Sequence, residues 1–150
     1  LGRLSMSLDH KWLRAVAPGQ NTGAHYDVVY MGAGRKELYT VWTALDDIWL
    51  RMDPLAFCLS SHQHQSWENR WNQWCPSRFT GDPYEVMGKL GFRWASTPFQ
   101  AGDIVIFGMY LMQGSLGNLS DRFGLSCDTR YQFGKGGGWL APYGDNDAIT

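Results

Sequence analysis

Residues 38–45 read Leu-Tyr-Thr-Val-Trp-Thr-Ala-Leu, a run dense in β-branched and aromatic side chains that suits a half-buried strand better than a helix. Shorter runs of the same character cover Lys11 to Ala17, Ala24 to Tyr30, Leu55 to Leu59, Arg93 to Ser96, Asp103 to Met112 and Gly124 to Phe133. Turn formers separate them, among them Pro18-Gly19-Gln20-Asn21 and the loop Gly32-Ala33-Gly34-Arg35-Lys36. Only two segments have helical character. Asp82 to Leu90 opens with an Asp N-cap, has Pro83 at the first helical position and stops at Gly91. Between Ser61 and Cys75, Trp67, Trp71 and Trp74 fall at i, i+4 and i+7, so one helical face is aromatic. This succession predicts an all-β-dominated fold, a sandwich or jelly roll with one or two short helices. Residues 134–150, with Gly136-Gly137-Gly138, read as a loosely ordered tail.

Composition narrows the function classes. Hydrophobic residues at 44% and charged residues at 18% describe a folded domain rather than a disordered chain. A net charge of -1 gives no electrostatic case for nucleic acid or for an anionic membrane. No apolar run reaches the roughly 20 residues that span a bilayer, and no signal peptide is read. Cys58, Cys75 and Cys127 make neither a disulfide framework nor a zinc pair, which favours reduced thiols and an intracellular, cytoplasmic setting. The chain opens at Leu1 inside a strand-like pattern, as a piece of a longer protein would. Trp67 and Trp71 would suit a carbohydrate-binding face, although core packing is the simpler use for eight tryptophans.

The segment Gly23-Ala24-His25-Tyr26-Asp27 carries the chemistry. Residues two apart on a strand share a face, so His25 and Asp27 present an imidazole nitrogen and a carboxylate oxygen side by side. Those are two of the three protein ligands in the facial triad that holds non-haem Fe(II). A bare His-x-Asp is common by chance, and its context decides its meaning.

That context is an ordered series. Gly23-x-His25-x-Asp27 is followed by Trp42-Thr43, then by Leu55-Ala56-Phe57-Cys58 leading to Ser60-Ser61-His62. Gly102-Asp103-Ile104-Val105-Ile106-Phe107 comes next, then Gly114-Ser115-x-x-Asn118, Arg122 and Ser126-Cys127-Asp128-Thr129-Arg130-Tyr131-Gln132. The series resembles the phytanoyl-CoA dioxygenase family of Fe(II)/2-oxoglutarate oxygenases.

The resemblance implies a double-stranded β-helix (jelly roll, cupin-like) forming a single domain over residues 1–133, shortened at its amino end. It implies Fe(II) held by two histidines and an aspartate, with 2-oxoglutarate on the iron and anchored by an arginine, and hydroxylation of a small organic substrate. His25 and Asp27 fall on the first two metal positions. Gln113 stands where the family has its second histidine, and Gly124 where it has the arginine. Trp42 and Ser126 fall beside the co-substrate. Arg122, two residues before Gly124 on the same strand face, is within reach of the vacated position. Arg130 otherwise reads as a solvated strand-edge charge, Asp46-Asp47 as a solvated strand end, and His62 as a loop residue outside the ligand set.

Two functions follow. In one, the chain is an oxygenase with Gln113 as a weak amide ligand, impaired by the changes at 113 and 124. In the other, it is a catalytically degenerate member serving as a binding or scaffold module.

Overall fold

The computed structural model describes residues 5–31, 37–63, 87–88, 91–115 and 117–133. The larger sheet holds β1 (Ser5–Ser7), β2 (Trp12–Val16), β4 (Leu38–Ala44), β7 (Ile104–Gly108) and β9 (Gly124–Phe133), paired antiparallel. Its axis is β9. One edge of β9 takes β1 against Tyr131–Phe133 and β2 against Gly124–Asp128, while the other takes the whole of β4. The smaller sheet runs in the order β3 (His25–Tyr26), β8 (Met112–Ser115), β5 (Leu55–Cys58) and β6 (Trp94–Ser96), again antiparallel. The result is a two-sheet jelly roll, as the strand pattern predicts.

The core lies between the sheets. Trp42, Ala44 and Phe107 from the larger sheet pack with Leu55 from the smaller and with Ile48, Met52 and Phe99 from the connections. Trp42 lies 4.7 Å from Phe99 and Phe57 lies 5.0 Å from Phe107, ring centroid to centroid. The opposite face of the larger sheet leaves Leu13, Ile104, Ile106 and Leu125 exposed.

Two strands are shorter than their sequence suggests, for one reason. The apolar run from Asp103 to Met112 contains two strands of different sheets, so the chain must turn at Met109–Leu111 to cross between them. Leu111 N–H closes that turn on the Gly108 carbonyl at 3.1 Å. Because β8 begins only at Met112, β3 finds ladder partners for His25 and Tyr26 alone. The chain then coils into α1 (Val28–Met31), its first turn closed by Tyr30 and Met31 N–H on the Asp27 carbonyl.

Gly91 has φ +69° and its N–H bonds the Met87 carbonyl at 3.0 Å, the left-handed stop expected after a helix. The rest of the segment from Asp82 to Leu90, the expected Trp67/Trp71/Trp74 face, Cys75 and the tail from 134 lie outside the described residues. Among the described residues, no helix is long and apolar enough to cross a membrane.

Candidate functional site

His25 and Gln113 are direct partners across the β3–β8 ladder, and the strand-to-helix junction turns Asp27 in beside them. All three are buried. The Nδ1–H of His25 donates to the Gly23 carbonyl at 2.8 Å, since a carbonyl can only accept; the lone pair is thereby left on Nε2. That nitrogen faces Asp27 Oδ1 at 3.6 Å. Burial lowers the His25 pKa, outweighing the Gly23 carbonyl and Asp27, which raise it, so the imidazole is neutral near pH 7.

Asp27 is held on both oxygens. Gln113 Nε2 donates to Oδ1 at 2.8 Å. Thr40 Oγ1 donates to Oδ2 at 2.5 Å, and Arg130 Nη2 lies 3.3 Å from the same atom.

Arg130 is the main correction to the sequence reading. It is 2% exposed and points inward, not into solvent at a strand edge. The inward face of β9 is Gly124, Ser126, Asp128, Arg130 and Gln132, all buried, while Leu125 is exposed and Cys127, Thr129, Tyr131 and Phe133 are half-buried. The strand therefore inverts the usual rule, turning its polar side to the interior. Arg14 from β2 joins it, with Nε 2.6 Å from Asp128 Oδ2, and Arg130 Nη2 lies 3.8 Å from that same oxygen. Thr40 is marked by no motif, and Asp128 stands in the Ser126–Gln132 run with no role assigned to it. The readable signal was the alternation of small and polar residues along β9.

Two adjoining cavities share Arg14, Thr22 and His25. The larger, about 320 Å³, is lined further by Trp12, Asp27, Tyr30 and Arg130 among others. The smaller, about 30 Å³, has Trp42, Ser126, Gln113, Asp53, Asp128 and Gly124 in its wall. Trp42 and Ser126 thus lie beside a cavity that His25 also lines. Arg122 does not. It is exposed, and its Nη2 pairs with Asp46 Oδ2 at 3.3 Å, so it does not reach the position beside Gly124. His62 is exposed in a 3-10 turn (Ser61–Gln63).

Gly124 is there for room. A Cβ at this position would stand 2.8 Å from the Met52 carbonyl oxygen, so no side chain, least of all arginine, enters without moving backbone. The small cavity also contains an acid that the motifs do not mark. Asp53 has φ +65°, a conformation that Asp tolerates better than most residues, and its Oδ1 accepts the Gly117 N–H at 2.7 Å. Its Oδ2 is buried with no hydrogen-bond partner among the described residues. Burial pushes its pKa up to about 6, against the opposing pull of Ser115, Gly117 and Arg14.

Fe(II) and 2-oxoglutarate held as the resemblance implies do not fit these residues. Two ligands at right angles on a metal with bonds of about 2.1 Å stand about 3.0 Å apart. His25 Nε2 and Asp27 Oδ1 are 3.6 Å apart, but an amide N–H of Gln113 occupies the carboxylate oxygen where the resemblance implies a second imidazole. Among the described residues, no three His, Cys, Asp or Glu side chains gather to hold a metal. A cavity of about 30 Å³ takes a water or two, and its free carboxylate oxygen on Asp53 repels rather than anchors a second carboxylate.

Residues 4–123 match the family described as Phytanoyl-CoA dioxygenase (PhyH). No curated protein matches by sequence. Among solved structures, the non-heme alpha ketoglutarate dependent epimerase SnoN from nogalamycin biosynthesis is 17% identical with a TM-score of 0.62, over 85% of this chain and 46% of its own. The carbocyclase SnoK from the same biosynthesis is 16% identical with a TM-score of 0.61, over 85% and 49%. EctD from S. alaskensis, solved with 2-oxoglutarate and 5-hydroxyectoine, is 16% identical with a TM-score of 0.60, over 82% and 43%. The chain thus spans under half the length of these three proteins, and at such identities the likeness is one of fold. With most of its length matched and the two-sheet barrel in place, the chain belongs to the phytanoyl-CoA dioxygenase family.

Proposed function

We propose that this chain is a degenerate member of its family, a jelly-roll module that binds a small organic molecule in the barrel interior without the family's oxygenase turnover. One observation carries the reading: Gln113 Nε2 donates to Asp27 Oδ1 at 2.8 Å, so the side chain at the second-histidine position serves as a donor to the carboxylate. A neutral amide oxygen is in any case a poorer Fe(II) ligand than imidazole.

Anaerobic Fe(II) titration, followed by oxygen uptake with 2-oxoglutarate, tests the proposal. The unmodified chain should bind iron weakly and consume no oxygen above background. Gln113→His should tighten iron binding by at least about tenfold, since even supporting groups around a metal ligand are worth that much. Tight binding of both iron and 2-oxoglutarate by the unmodified chain, with turnover, would overturn the proposal.

The same assay decides the second reading, an Fe(II)/2-oxoglutarate oxygenase hydroxylating a small organic substrate. That reading is favoured by His25, whose Nδ1–H bond to Gly23 leaves the Nε2 lone pair turned toward a carboxylate.

A further inference from the structure

His25 leaves one ring nitrogen unused. Its side chain is only 8% exposed, and its Nδ1–H is committed to the Gly23 carbonyl at 2.8 Å. Nε2 stands 3.6 Å from Asp27 Oδ1, beyond hydrogen-bond distance, so two acceptors face each other with no proton between them. Nε2 has no hydrogen-bond partner among the described residues, yet unlike Asp53 Oδ2 it is not sealed away from solvent. It looks toward Asp27, which lines the cavity of about 320 Å³ and not the smaller one. The ligand set that leaves iron unsupported thus leaves a buried lone pair turned to the larger cavity.

The charges around that cavity cancel. Arg14 Nε lies 2.6 Å from Asp128 Oδ2, and Arg130 Nη2 lies 3.3 Å from Asp27 Oδ2 and 3.8 Å from Asp128 Oδ2. Two guanidiniums therefore meet two carboxylates, and Gln113 Nε2 covers the other oxygen of Asp27. An ionic ligand entering here would lose its hydration with no opposite charge left to replace it. A neutral hydroxyl loses far less, and it brings the donor that Nε2 lacks. Trp12 and Met31 line the same cavity and offer apolar surface to the body of such a molecule. The volume is at the small end of ligand pockets, which suits a compound of about one ring.

We propose that the larger cavity takes a small neutral alcohol, its hydroxyl donating to Nε2 of His25. The proposal rests on the functional reading above in placing a small organic molecule inside the barrel, and it deepens that reading by naming the chemistry of the ligand.

Calorimetric titration of the whole chain in the presence of a chelator tests it with four probes of similar size: cyclohexanol, its methyl ether, cyclohexanecarboxylate and cyclohexylammonium. Cyclohexanol should bind. The ether, which lacks the donor, should bind at least about fivefold more weakly, the cost of leaving a buried acceptor unsatisfied. Both ions should also bind more weakly than the alcohol. His25→Phe keeps a ring and removes the acceptor, and should lower the affinity for cyclohexanol to that for the ether. Arg122→Gln, on the exposed surface, should change nothing. Should His25→Phe not fold, the Nε2 resonance of His25 in the unmodified chain gives the answer, moving with cyclohexanol and not with the ether. The proposal is overturned if cyclohexanol does not bind, if the ether or either ion binds as tightly, if His25→Phe keeps the original affinity, or if that resonance stays fixed. Failure here without oxygen uptake would leave a degenerate module with a different ligand, whereas oxygen uptake with 2-oxoglutarate overturns the functional reading itself.

Discussion

The two cavities have diverged in opposite ways from what the family resemblance implies. In the larger, His25 and Asp27 stand together, with buried Arg130 Nη2 3.3 Å from Asp27 Oδ2. In the smaller, the arginine position is a glycine closed off by the Met52 carbonyl, and an aspartate carries the unsatisfied oxygen. Arg14 lines both; the larger cavity adds Arg130 and Asp27, and the smaller adds Asp53 and Asp128. The two walls share Arg14, Thr22 and His25 and differ in the charged residues that other positions add.

The sharpest way to break the contrast is to remove the cation. Arg130→Met leaves Asp27 and Asp128 buried with a guanidinium missing, and should cost about 3–5 kcal/mol in urea denaturation. A loss under about 1 kcal/mol would mean that the other partners suffice.

In the smaller cavity, Gly124→Ala should cost about 1–3 kcal/mol, because its Cβ meets backbone at 2.8 Å. A neutral result would show that the start of β9 can yield, and that an arginine could be restored there.

Asp53 supplies a pH test. With its pKa raised from 3.8 to about 6, the folded chain holds this proton to higher pH than the unfolded chain. Its effect on stability is therefore absent below about pH 4, turns unfavourable as pH rises to about 6, and is constant above that. Asp53→Asn should add about 1–2 kcal/mol above pH 6, solvent screening having reduced the full value, and nothing below pH 4. Thermal melts across that range, run on both chains, would show the two curves merging in acid.

Arg122→Ala touches only an exposed pair with Asp46 and should change stability by less than about 0.5 kcal/mol. A larger effect would place Arg122 in the site after all.

Much of the architecture was legible because strand propensity and turn chemistry are local. The runs 12–16, 38–44, 55–58 and 124–133 lie where side-chain alternation puts them. The crossing at Met109–Leu111 was not, since nothing local distinguishes one long strand from two strands in different sheets. In the site, the pairing of His25 with Asp27 was readable from its spacing, and the meeting with Gln113 from the order of motifs. The inward turn of Arg130 was hidden by a sound rule misapplied: a polar face ordinarily goes to water, but here Asp27, Asp128 and Arg14 give the inward polar face of β9 its ionic partners.

The sequence by itself determined the strand content, the family and the residues standing at the second-histidine and arginine positions, because these depend on residue identity and spacing. The tertiary structure alone decided which way β9 faces, why Gly124 has no room for a side chain, and that Gln113 spends its amide N–H on Asp27. Those outcomes depend on distances between segments as much as 114 residues apart, and hydrogen bonding and close packing act only once the chain has brought them together.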